Sequence, residues 1–435
     1  MAAAPRYSPV RAVGPLSLTA ISINTVIGSG IFALPAAMAQ LLGPAAPFVY
    51  VSAGGAVILI ALCFAEIGSR FESSGGPYVY ARAAFGELAG FEVAWIFLLA
   101  RVTALAAAGN IFSGYLGYFW PFVQHGAGRF LAITVMLAAL TMANVVGVRP
   151  STTVNNILTI GKLLPLCIFC VAGLFLLDLR AIPTPHLPAI SPLQTASLLM
   201  MFALGGFENA SIPTEEVIDP KKNVPTAILA SVVLVVVLYF LIQIVSLAAL
   251  PGLTTSTTPL ASAARNFLGP EGAILLTIGA LLSTAGTNHA NLFAGPRMLY
   301  ALGRDGCLPG QFSRLHPRYR TPALSIVLYA LMGWMLAISS AFTQLAALSA
   351  VARLLMYTTT CLAVLVLRRR LGSAHGRFFL PGGAMIPLLA LCVCVWLLTG
   401  SSANQVLVAA AALLAGTLLY GIRNRSRSGQ PKTAP

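Results

Sequence analysis

Apolar runs of about 20 residues, separated by short polar stretches, recur along almost the whole chain. Each is long enough to cross the hydrocarbon core of a bilayer. They predict an all-α integral membrane protein with twelve spans. The first six lie at about 15–40, 45–69, 87–117, 130–147, 152–177 and 193–214. The others lie at about 226–249, 271–296, 322–341, 344–367, 384–400 and 404–421. The polar stretch from Phe71 to Arg82 reads as a link, and a short surface helix is expected near Pro259–Phe267.

Two runs are interrupted. Ile27-Gly28-Ser29-Gly30-Ile31-Phe32 breaks the first, and Ala203-Leu204-Gly205-Gly206-Phe207-Glu208 breaks the sixth. A glycine-rich interruption gives up helical hydrogen bonds that lipid cannot replace, so it is tolerated only where the backbone lines a protein cavity. The breaks are about 177 residues apart, five spans from one another. Five is odd, so the two repeats enter the membrane from opposite sides. This predicts a 5+5 inverted repeat, which points to a secondary transporter. The organisation expected is an amino-terminal segment (1–14), repeat 1 (15–177), a loop (178–192), repeat 2 (193–367), a basic loop (368–383), two further spans (384–421) and a tail (422–435).

Composition agrees with a membrane protein. Hydrophobic residues make up 58% of the 435 and charged residues only 9%, too few to cover a soluble surface. The net charge of +15 is explained by its placement. Twenty of the 26 Lys and Arg fall on the side of the termini, three fall opposite (Arg129, Arg180, Arg265), and three lie within spans (Arg101, Lys162, Arg353). By the positive-inside rule both termini are cytoplasmic. The basic loops suit anionic lipid headgroups, and no nucleic-acid module is visible. No removable signal peptide is expected. Six of the seven cysteines sit in apolar runs without metal-ligand spacing and read as small hydrophobes.

Unwinding a span exposes amide N–H groups at one half-helix and carbonyls at the other, which suit a carboxylate and an ammonium respectively. Opposed half-helices therefore fit a zwitterionic amino acid. The residues expected to bind it are Ile27, Gly28, Ser29, Gly30 and Ile31 at the first break, with Phe202, Ala203, Gly205 and Phe207 at the second. Phe202, Phe207 and Phe32 are placed to cover a side chain, although an aromatic in a span is most often plain packing. Lys162 lies ten residues into span 5, about 15 Å of helix, too deep for easy snorkelling to the interface. Intramembrane charge of this kind marks function by default. Arg101, in mid-span 3, would repel cationic substrates if it faced the pocket. It can alternatively pair with Glu208, hold a carboxylate, or point away. Arg353, in span 10, can sit beside the cytoplasmic pathway or pair with a glutamate, and no role is assigned to it. Asn288, His289 and Asn291 form a polar cluster late in span 8, and Glu66, Glu72, Arg70 and Arg82 read as an interfacial charge network.

Ile27-Gly28-Ser29-Gly30-Ile31-Phe32-Ala33-Leu34-Pro35 resembles the first-span motif of the amino acid–polyamine–organocation (APC) family of transporters. So do Ser74-Gly75-Gly76-Pro77-Tyr78-Val79-Tyr80, Gly205-Gly206-Phe207-Glu208 with Glu215-Glu216 and Asn223-Val224-Pro225, and the stretch from Pro296 to Gly306. The resemblance covers nearly the whole chain in the right order. It implies the five-plus-five fold, alternating access, and amino acid or amine substrates. In proton-coupled relatives a span-5 lysine takes the place of a sodium ion between spans 1 and 8. Lys162 matches it, with Ser283 or Thr284 as span-8 partners. Glu208 matches a glutamate implicated in proton-linked gating in a related exchanger.

The expectation is thus a bacterial inner-membrane amino acid importer working by proton symport, without a cofactor, metal or covalent chemistry. Neutral substrates are favoured, because no second carboxylate accompanies the breaks. An amino acid exchanger of the same fold is the alternative. A channel would show repeated selectivity elements, and an enzyme would need convergent catalytic groups. The five histidines are scattered instead. Either a monomer or a homodimer is compatible with the sequence.

Overall fold

The computed structural model describes residues 13–72, 75–147, 152–178, 182–186, 188–212, 214–304, 307–371, 378–380 and 382–428; for 152–159, 216, 371 and 423–428 only the backbone is described. Ser74, Arg149, Arg180, Asp305, Gly306, His375, Arg377, most of the amino-terminal segment and the end of the tail lie outside the described residues. Apart from one isolated bridge between Val13 and Val217, the regular structure of the described residues is helical.

The first apolar run forms α1 (Pro15–Val26) and α2 (Gly30–Leu42), separated at the glycine-rich break. The second forms α3 (Ala46–Gly68). The stretch expected to be a polar link contains a helix, α4 (Pro77–Phe85), which buries Tyr80, Ala81 and Ala84. Its nine residues, bounded by Gly76 and Gly86, are too few to show a helical period in the sequence. Next come α5 (Glu87–Leu116), α6 (Gly126–Val146), α7 (Thr152–Leu176) and α8 (Ile190–Ala203), the last ending at the second break. After short 3₁₀ turns follow α9 (Pro220–Ala249) and α10 (Pro259–Arg304), then α11 (Ala323–Ser339), α12 (Phe342–Leu371), α13 (Met385–Thr399) and α14 (Ala403–Ser428). Helix α10 bends at Gly269, whose φ is +73°. Its first turns bury Leu260, Ala261, Ala263 and Ala264, so they form an interior helix rather than the surface helix expected.

Among the described residues, eight helical segments are long and apolar enough to cross a membrane, and four more are apolar but only 10–17 residues long. Helices α1, α3, α5, α8, α9, α10 and α12 pack around the breaks, while α13 and α14 lean on α12 and α5 from outside. The outward faces are apolar. Val135 and Met142 on α6, Leu234 and Val237 on α9, and Leu407 and Leu418 on α14 are all exposed, as a lipid-facing surface requires. Cys167 and Cys392 belong to that surface, whereas Cys63, Cys170, Cys361 and Cys394 are buried.

At the end of α3, buried Glu66 accepts hydrogen bonds from Arg70 (2.9 Å) and from Nε of Arg368 (2.6 Å), and also takes the Leu380 amide (3.2 Å). The network ties α3 to α12 and to the segment beyond it. Glu72 pairs with Lys221 at 3.1 Å, and Arg82 with Glu87 at 2.6 Å.

Candidate functional site

The two breaks face each other. Between α1 and α2, Ile27 leaves the helical region at φ −73° and ψ 88°. At the second break Gly206 adopts φ +124°. Both this conformation and the close approach demand glycine: a Cβ on Gly206 would lie 2.6 Å from the Thr25 carbonyl oxygen. One on Gly30 would lie 3.0 Å from Ala203. Thr25 Oγ1 fastens the breaks further, lying 2.8 Å from the Ser22 carbonyl and 3.1 Å from that of Gly206.

Between the breaks lies a cavity of about 380 Å³, large enough for a small metabolite. Gly28, Ser29 and Gly30 line it from the first break, and Phe202, Ala203 and Gly205 from the second. Asn24, Thr25, Asn209, Thr287, His289 and Asn291 supply most of its neutral polar wall. The cavity follows α1 back to Ile21 and α10 on to Ala294, but no α2 residue past Gly30 and no α8 residue before Phe202 lines it. It therefore extends from the breaks toward one face only.

Lys162 reaches this cavity from α7. Its Nζ donates to the carbonyls of Asn24 at 2.6 Å and Ile27 at 2.7 Å, the last turn of α1. Burial without a carboxylate is tolerable here because those carbonyls have lost their helical partners. Tyr239 donates to the next carbonyl, Val26, at 3.3 Å, and Ser283 to that of Gly28 at 3.2 Å. Thr284 does not join them. Its hydroxyl bonds back within α10, to Ala280 at 2.7 Å and Leu281 at 3.1 Å, the usual outcome for a threonine inside a helix.

Glu208 is buried behind the cavity wall rather than on it. It accepts from the Gly206 amide at 2.8 Å and from the Tyr357 hydroxyl at 3.0 Å, and it forms an ion pair with Arg353. Its partner is thus Arg353, to which the sequence assigned no role, and not Arg101. Arg101 donates to Asn209 and lies with its guanidinium 4.8 Å from the Phe97 ring centre. Both arginines line the cavity.

Several expected residues sit elsewhere. The Ile27 and Ile31 side chains are buried in the core. Phe207 packs edge-on against Phe64 and beside Tyr357, at centroid distances of 5.5 and 5.4 Å, away from the cavity. Phe32 meets Tyr115 edge-on at 5.8 Å, and the Tyr115 hydroxyl donates to the Phe32 carbonyl at 2.7 Å. Only Phe202 of the three aromatics lines the cavity, its edge against Phe342. Of the span-8 polar cluster, His289 and Asn291 line it, and Asn288 is buried with Nδ2 3.8 Å from the Met136 sulfur. Among the described residues no group of His, Cys, Asp and Glu is arranged to hold a metal ion.

A family model described as amino acid permease matches residues 13–418, the breaks and the cavity included. The chain belongs to the amino acid permease family. This permease is therefore a multi-pass membrane transporter of the APC superfamily, not an enzyme. It is 28% identical to the methylthioribose transporter of Bacillus subtilis (strain 168), across 97% of this chain and 95% of that protein. Identity to the branched-chain amino acid permease BcaP of the same organism is 28%, over 96% and 94% of the two chains. The Asc-type amino acid transporter 1 of Mus musculus is 32% identical over 86% of this permease and 73% of its own length.

Proposed function

We propose that this permease imports amino acids across a bacterial inner membrane by proton symport, through alternating access of a twelve-span, 5+5 inverted-repeat fold. The amides at the start of α2 take the substrate carboxylate, and the carbonyls around Ala203–Gly205 take its ammonium. With both termini cytoplasmic, the cavity opens inward, because it follows α1 toward its beginning and α10 toward its end. Three cationic side chains on the wall disfavour cationic substrates. The names of two relatives, a branched-chain amino acid permease and an Asc-type amino acid transporter, support an amino acid substrate.

The observation that carries proton coupling is the pair of bonds from Lys162 to the carbonyls of Asn24 and Ile27. A protonated lysine holds the end of α1 with charge-assisted bonds, each worth about 1.5–3 kcal/mol. Loss of the proton weakens both and frees α1 to move. Lys162 also occupies the place where a coupling cation would stand, which disfavours sodium. In sealed liposomes with an inward proton gradient, the wild type should accumulate amino acid, and Lys162→Ala should equilibrate or exchange it without accumulation. Entry only against internal substrate, with no effect of gradient or Lys162, would instead establish an exchanger.

A further inference from the structure

The cavity wall carries an unbalanced charge. Arg101, Lys162 and Arg353 line it, and no carboxylate does. Lys162 is satisfied by two main-chain carbonyls. Glu208 compensates Arg353, but its oxygens are already shared with Tyr357 and the Gly206 amide. Arg101 is only 8% exposed, and its partners are a neutral amide, Asn209, and the face of Phe97. Among the described residues no carboxylate reaches it. Arg353 is 7% exposed and is held by Glu208, and its Nε, without a hydrogen-bond partner among the described residues, is sealed against Gly205 rather than open to the cavity. A buried charge left without a counter-ion is expensive. The cavity therefore carries one cationic donor, Arg101, that no carboxylate among the described residues pairs with.

Its position indicates what does. The Arg353 side chain lies against the second break: a Cβ on Gly205 would be 2.8 Å from its Nη1. Asn209, which holds Arg101, stands in the 3₁₀ turn Phe207–Ser211 that follows the same break. Both guanidinium groups thus stand beside the second break, whose backbone is assigned above to the substrate's α-groups.

We infer that Arg101 forms an anion subsite for the substrate side chain, so that this permease prefers dicarboxylic amino acids over neutral ones. This rests on the amino acid reading above and replaces the neutral preference expected from the sequence. Planar guanidinium donors match a carboxylate two bonds at a time. A site with unpaired buried donors rejects an isostere that lacks the acceptor charge far more strongly than an apolar pocket rejects a missing methylene.

The test is uptake of labelled L-glutamate, L-glutamine and L-leucine, side by side, by the full-length protein in liposomes with an inward proton gradient. Glutamate should be taken up with an apparent affinity at least about tenfold higher than glutamine, its neutral isostere. Arg101→Gln should bring that ratio close to one, and Arg101→Lys should retain part of it, which a purely structural role for Arg101 would not produce. If the variants do not fold, the wild-type ratio decides alone. Equal or better uptake of glutamine or leucine overturns the anion subsite and leaves the amino acid reading intact. Uptake of no amino acid overturns both. Thermal stabilisation by chloride, lost in Arg101→Gln and without a glutamate preference, would mean that an inorganic anion fills the site, and also overturns it.

Discussion

Glu208 is where the polar interior converges: one carboxylate joins the backbone of the second break to Arg353 and Tyr357 of α12. Replacing it with glutamine keeps its shape and removes the counter-charge of a buried arginine. Glu208→Gln should cost about 3–5 kcal/mol, read as a lowered melting temperature of the purified protein. Glu208→Gln combined with Arg353→Met should recover much of that stability but not transport, since the tie to the break stays cut. Charges inside apolar runs stand out in a sequence, which is why Lys162, Glu208 and Arg101 were visible before any coordinates. The span-1 carbonyls that hold Lys162 follow from the family resemblance, whereas the Asn209 partner of Arg101 does not. Asn209 and Thr25 are uncharged and carry no comparable signal. The pairing of Glu208 with Arg353 spans 145 residues and follows only from the packing of α8 and α12.

At the scale of helices, the two halves of the first span are held by different side chains. α1 is gripped through its terminal carbonyls by Lys162 of α7 and Tyr239 of α9. α2 is gripped by Tyr115 of α5 and by Gln243 of α9. A change at Lys162 can therefore release α1 and leave α2 in place. The sequence placed both breaks correctly because glycine in a span has a backbone cause, but it missed α4, too short for periodicity to register. Helix α9 is wedged between α3 and α7, with a valine against a glycine on each side. A Cβ on Gly54 would lie 2.6 Å from Val236 Cγ1, and one on Gly173 would lie 2.3 Å from Val245 Cγ1. Valine cannot swing aside freely, so Gly54→Ala should destabilise the protein by about 1–3 kcal/mol. Gly55→Ala, one residue on and in open space, should leave the melting temperature nearly unchanged.

For the molecule as a whole, the orientation proposed above rests on the asymmetry of Lys and Arg, and the direction of the cavity depends on that orientation. A fluorescent protein fused after Pro435 should fluoresce in bacterial cells, and an alkaline phosphatase fused there should be inactive. The reverse would turn the cavity to face outward. The apolar exterior and the order of the elements were readable from twelve hydrophobic runs. Which side the cavity opens on was not, because that depends on how the half-helices close against each other. The wall ends at Gly30 and Phe202, so the cavity is a cul-de-sac. A dead end has no standing current. Each solute carried requires one full rearrangement of packed helices, an event of microseconds to milliseconds or slower. Flux through this protein must consequently saturate, at a ceiling set by that mechanical cycle and not by diffusion, and no concentration of substrate can raise it further.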